Sequence, residues 1–193
     1  MILSDRHKFI FFHLYKTGGT SLSAALAAWG QFVRTPHAHI TPCEFKRRNP
    51  TKYDRYYTFA FVRNPFDWQA SLYYYVRAQT NHRNHEIVRA LTFPEYIEWM
   101  AENEYRTQYE LLSEEGDRES PITLSFIGRY EKLRAGYEKA CKSIGIPRRG
   151  LPWRNKSVGK PDWRTLYDES LRQRLVQLFA QDFEVFKYPT ELR

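Results

Sequence analysis

Cysteine is almost missing: Cys43 and Cys141 are the only two in the chain. They have neither metal-ligand spacing nor the density of a disulfide framework, so a zinc-ribbon fold and a disulfide-stapled module are both excluded. We expect two reduced, buried thiols in a cytoplasmic protein, with pairing to each other as the alternative. Long apolar runs are missing as well. "MILSDRHKFIFFHLYK" meets charge at Asp5, Arg6 and Lys8 before its apolar stretch, which ends at Lys16. That stretch is too short, and too soon interrupted, for a signal peptide or a membrane span. No internal repeat or low-complexity tract occurs, and G-x-x-x-x-G-K-[ST], the Walker A pattern, is absent.

What is present is an ordinary globular composition with a basic bias. Hydrophobic residues make up 42% and charged residues 27% of 193, which excludes wholesale disorder and allows one domain with a real core. The net charge of +8 calls for an anionic partner: nucleic acid, a phosphorylated nucleotide, an acidic polysaccharide or a membrane surface. Fourteen tyrosines suggest a cleft or partner surface as well as a core.

"FIFFHL" (9–14) is short, aromatic and apolar on both faces, as a central parallel strand requires. "YYTFAFVRNP" (56–65) is a second such strand, stopped by Pro65, and "ITLSFIGRY" (122–130) a third. Each is followed by a helical pattern. After the first strand, Thr20 or Ser21 can cap a helix that Gly30 ends. After the second, Asn64 is the expected cap, with Pro65 at the first helical position. After the third, Leu133, Tyr137, Ala140, Cys141 and Ile144 share one face, and Gly145 closes the helix. "ESLRQRLVQLFAQDFEVF" reads as one more amphipathic helix. Strands alternating with helices predict an α/β fold with a mostly parallel sheet flanked by helices. We read 1–193 as a single domain, with 77–120 as a helical insertion within it.

"KTGGTS" (16–21) joins strand to helix in the geometry that lets backbone N–H groups cradle a phosphate. Gly18 and Gly19 permit close approach, Thr17, Thr20 and Ser21 offer hydroxyls, and Lys16 offers a full charge. The bland alternative is a simple turn with a solvated lysine. At the end of the second strand, Arg63 and Ser71 suit a second phosphate group. Their bland alternative is an ion pair of Arg63 with Asp67 and a packed Ser71. His82 and His85 are spaced as metal ligands could be, but no nearby acidic or cysteine partner completes a site, so a solvated polar face is the simpler reading.

"FFHLYKTGGTSL" resembles the 5′-phosphosulfate loop of sulfotransferases, and "FAFVRNPFDWQASLYYY" resembles their 3′-phosphate motif. "IGRYEKL", "LPWRNKS" and "FAQDFEVFKY" are similar to later landmarks of the carbohydrate (heparan 2-O-like) branch, in a short bacterial-type form. The resemblance implies a P-loop-like three-layer core and sulfuryl transfer from 3′-phosphoadenosine 5′-phosphosulfate (PAPS), without a metal, to an acceptor hydroxyl that is expected on a carbohydrate. It implies that Lys16 and residues Thr17, Gly18, Gly19, Thr20 and Ser21 hold the 5′ end. Arg63 and Ser71 would hold the 3′-phosphate, and Lys156 and Ser157 would close over the nucleotide. "TPHAHITPCEF" resembles the H-x-H segment that supplies the base in that branch. The pattern H-x-[ST]-x-x-E falls on His39 through Glu44, which favours His39 with His37 beside it, and His13 is expected to support the loop. Two departures stand out: Tyr15 replaces a usual proline, and Trp68 a frequent arginine. Other readings are a nucleotide-dependent phosphotransferase, for which no Mg²⁺ constellation is seen, or a non-enzymatic basic module for acidic polysaccharide or nucleic acid. Beyond its net charge the chain shows no nucleic-acid signature, and oligomeric state stays open.

Overall fold

The computed structural model describes residues 1–33, 39–152 and 161–192. His37, Lys156 and Ser157 lie outside them. In chain order the strands are β1 (Ile2–Ser4), β2 (Phe9–Phe12), β3 (Gln31–Phe32), β4 (Tyr57–Val62) and β5 (Phe126–Arg129). The helices are α1 (Gly19–Leu26), α2 (Pro42–Arg48), α3 (Pro50–Arg55), α4 (Pro65–Ala78), α5 (His85–Ala90) and α6 (Phe93–Asn103). They continue with α7 (Gln108–Leu112), α8 (Leu133–Ile144), α9 (Glu169–Leu178) and α10 (Ala180–Val185). The chain divides into two compact units, one of residues 1–63 and 108–156, the other of 64–107 and 157–193.

The first unit holds the whole sheet, in the order β3-β1-β2-β4-β5. Its centre is parallel, with Phe11 opposite Phe59 and Ala60 opposite Ile127. Its other side is antiparallel, because β1 turns back on β2 and pairs β3 along its far edge. β1 and β3 have three and two residues, too short for any periodicity to show in sequence. Phe9, Phe11, Phe59 and Phe61 point to one face and are sealed by Leu22, Ala25 and Leu26 of α1 and by Tyr137, Ala140 and Cys141 of α8. On the opposite face Phe12 meets Phe45 of α2 and Tyr53 of α3. Both faces of β2 and β4 are thus covered, which is why these strands read as unbroken apolar runs.

Several boundaries differ from expectation. The third strand begins at Phe126 and not at Ile122, because just before it side chains replace the backbone ladder. The Thr58 N–H donates to Ser125 Oγ and the Ser125 N–H donates to Thr58 Oγ1, both at 3.1 Å. α1 starts at Gly19 with Gly18 as its cap, without a hydroxyl cap at Thr20 or Ser21. It ends at Leu26, although the Gly30 N–H still returns to the Leu26 carbonyl at 3.2 Å. α8 closes on Gly145 in the left-handed conformation, as expected. Residues 77–120 are shared out: α5 and α6 belong to the second unit, α7 to the first.

The second unit is built on α4, which Asn64 caps by accepting the Phe66 N–H at 3.0 Å, with Pro65 next. Its core is aromatic: Phe66, Trp68, Tyr96 and Phe179 are almost fully buried. Trp68, the departure from the usual arginine, is core here, its ring edge-on to Phe179 at 6.1 Å. The long C-terminal helix expected from sequence breaks at Phe179 into α9 and α10.

Candidate active site

The parallel strands β2 and β4 end on the same side of the sheet, and the glycine loop leaves from there. In open α/β sheets this is the end at which ligands bind. φ is positive at Lys16 (62°) and Gly18 (80°), but at neither Thr17 nor Gly19. That alternation turns successive N–H groups toward one side, the arrangement that makes an anion concavity. The Gly18 carbonyl accepts the first helical bonds, from Ser21 at 3.1 Å and Leu22 at 3.2 Å. The amides of Gly19 and Thr20, in the first turn, have no intrahelical partner by position and are the donors an anion would meet.

Each glycine is required by its neighbour. A Cβ on Gly19 would overlap the ring of His13. One on Gly18 would press on Tyr130 and Leu133, quite apart from its left-handed φ. Thr17 is fully buried and donates its hydroxyl to the Leu14 carbonyl at 2.8 Å. Its side chain therefore ties the loop to the end of the strand, leaving backbone amides and the exposed Thr20 to face an anion. Ser21 is nearly buried.

Arg63 follows β4 and is 8% exposed. Its guanidinium lies over the Tyr130 ring, 4.1 Å from the centroid, and donates from Nη1 to the Lys16 carbonyl at 2.9 Å. Gln108, fully buried at the start of α7, accepts the Arg63 N–H and donates to the Arg63 carbonyl, both at 2.8 Å. Tyr130 and Gln108 were not singled out as site residues from the sequence. Tyr130 lay inside a recognisable landmark, whereas nothing in sequence marks a lone glutamine as the partner of a residue 45 positions away. Ser71 is nearly buried on α4, in the second unit.

His39 is exposed beside this loop. Its Nδ1 lies 2.7 Å from the His13 carbonyl. A carbonyl only accepts, so Nδ1 carries the proton and Nε2 of the neutral ring keeps its lone pair. The ring stands edge-on to His13 at 4.7 Å and to Tyr15 at 6.0 Å. Although the residue reaches solvent, its ring is packed against His13 and Tyr15, and desolvation holds its pKa below the ordinary imidazole value, outweighing the His13 carbonyl, which raises it. The H-x-[ST]-x-x-E pattern gains a physical meaning here. Thr41 caps α2 and Glu44 completes a capping box, accepting the Thr41 N–H at 2.8 Å. The threonine and glutamate thus anchor the helix that follows the histidine. His13 itself is pushed down to about 3, first by burial and then by its neighbour His39.

The sheet, parallel at its centre, carries this loop at the end of β2, with the Arg63 guanidinium on the Lys16 carbonyl and His39 against the His13 carbonyl. A family model described as "Sulfotransferase family" matches residues 1–189, and the chain belongs to that family. It is a sulfotransferase, moving a sulfuryl group from a sulfonate donor to a hydroxyl-bearing acceptor. Neither a curated protein nor a solved structure matches it. Among the described residues, no group of three His, Cys, Asp or Glu is placed to hold a metal, and no helix is long and apolar enough to cross a membrane.

Proposed function

We propose that this sulfotransferase takes its sulfuryl group from PAPS and passes it to a carbohydrate hydroxyl, with His39 as general base. The observation that carries this reading is the hydrogen bond from His39 Nδ1 to the His13 carbonyl at the root of the anion loop. It leaves a basic nitrogen beside the place where the donor's 5′ end would lie. His39 Nε2 takes the acceptor's hydroxyl proton as the new O–S bond forms and the bond from sulfur to the 5′-phosphate oxygen breaks. Lys16 stabilises the charge that develops on that departing oxygen, and the amides of Gly19 and Thr20 hold the 5′ end. Arg63 binds the 3′-phosphate with Ser71, while Lys156 and Ser157 cover the nucleotide. His37 shapes the acceptor side, metal plays no part, and the protein works in the cytoplasm.

Transfer of labelled sulfuryl from PAPS to a panel of glycans tests the proposal. Wild type should label at least one sugar. His39→Ala should lower turnover by about 10²- to 10⁴-fold, the usual share of general base catalysis, while keeping its affinity for the product nucleotide. Lys16→Ala should lower kcat by roughly 100-fold or more, as deletion of a group that stabilises transition-state charge does. A folded His39→Ala protein with wild-type turnover removes His39 from the mechanism.

A further inference from the structure

Lys16, the residue proposed to meet the leaving group, has a left-handed backbone without being glycine. Such a conformation persists only where the surroundings hold it. The hold visible here is the Arg63 guanidinium on the Lys16 carbonyl. Arg63 is itself gripped at both backbone groups by one side-chain amide, that of Gln108, in a two-point clasp that extends the β4 ladder past its last residue. Gln108 shows no solvent exposure, so neither bond has water as a ready substitute.

We propose that Gln108 is a positioning residue for donor binding. It sets the Arg63 backbone, and through the Arg63 side chain the peptide of Lys16, so that one buried amide governs two of the cations that receive the donor. The inference rests on the PAPS reading above. Gln108→Met keeps the shape and removes both bonds, while Gln108→Glu keeps the acceptor and loses the donor, placing a carboxylate oxygen against the Arg63 carbonyl.

The test is a double-mutant cycle, read by calorimetry with 3′-phosphoadenosine 5′-phosphate (PAP) on protein shown to be folded by circular dichroism. Each Gln108 variant should bind PAP roughly tenfold or more weakly, the scale of coupling between directly bonded residues. In the Arg63→Ala background the same substitutions should cost no further affinity, because their effect runs through the missing guanidinium. A residue that merely supports the fold would lower the melting temperature and leave the cycle additive. Gln108→Glu serves where Gln108→Met fails to fold. Wild-type affinity in either folded Gln108 variant, or additive losses, overturns the inference alone. Failure of the wild type to bind PAP overturns the donor reading and the inference with it.

Discussion

His13 sets its ring against Gly19 and stacks on Phe11 at 6.2 Å, while its carbonyl accepts the hydrogen bond of His39 Nδ1. Burial, and the neighbouring His39, favour its neutral ring. The unfolded chain protonates His13 near the ordinary imidazole value of 6.5, the folded chain only at about 3. Between these values the unfolded state binds more protons, so this contribution is complete above the unfolded pKa and is lost as the pH falls toward 3. Each pH unit in the window costs at most about 1.4 kcal/mol. Urea midpoints measured between about pH 7 and pH 5 should therefore fall more steeply for wild type than for His13→Asn, whose side chain does not titrate. Parallel curves would show that His13 protonates freely in the folded protein. His39 is shifted in the same direction by desolvation. Under the proposed role, in which the base must be neutral to act, this shift should keep the enzyme active to lower pH than an ordinary imidazole would. The acidic limb of kcat/KM should lie below about 6.5 and vanish in His39→Ala.

At the scale of elements, the loop depends on a close approach. Gly19→Ala would force His13 or α1 aside, at about 1 to 3 kcal/mol by the usual cost of overpacking. Thermal melts should show that loss, together with weakened PAP binding. Adding His13→Ala should recover part of the stability by removing the ring that the new methyl meets. An unchanged melting temperature in Gly19→Ala would mean the approach is looser than the structure shows. How much of this was legible in sequence follows from how local each signal is. The strand–loop–helix unit, the Asn64 cap and the Gly145 stop rest on adjacent residues, and they read directly. The start of α1 was misplaced because Gly18 caps it through its backbone, while a hydroxyl-based reading looks to Thr20 or Ser21. β1 and β3 exist only through pairing with β2 and with each other, so nothing local announces them. The Gln108 clasp and the His39–His13 bond are made by chain segments far apart in sequence, beyond the reach of any spacing rule. The strand–loop–helix pattern pointed to Lys16 and the second strand end to Arg63 as anion-binding groups, while their expected roles and that of His39 came from the family resemblance.

For the molecule as a whole, a net charge of +8 attracts any polyanion and therefore decides little between a sulfotransferase and a basic binding module. Discrimination has to come from fixed groups, and the 3′-phosphate is the feature that separates the proposed donor from ATP. Losing a buried contact to that phosphate should cost roughly 2 to 4 kcal/mol. Calorimetric titration of the wild type with PAP and with ATP is the most direct test. The account predicts that PAP binds about 30-fold or more tightly than ATP, the lower end of that energy range. ATP binding as tightly as PAP, or the absence of PAP binding, would contradict it.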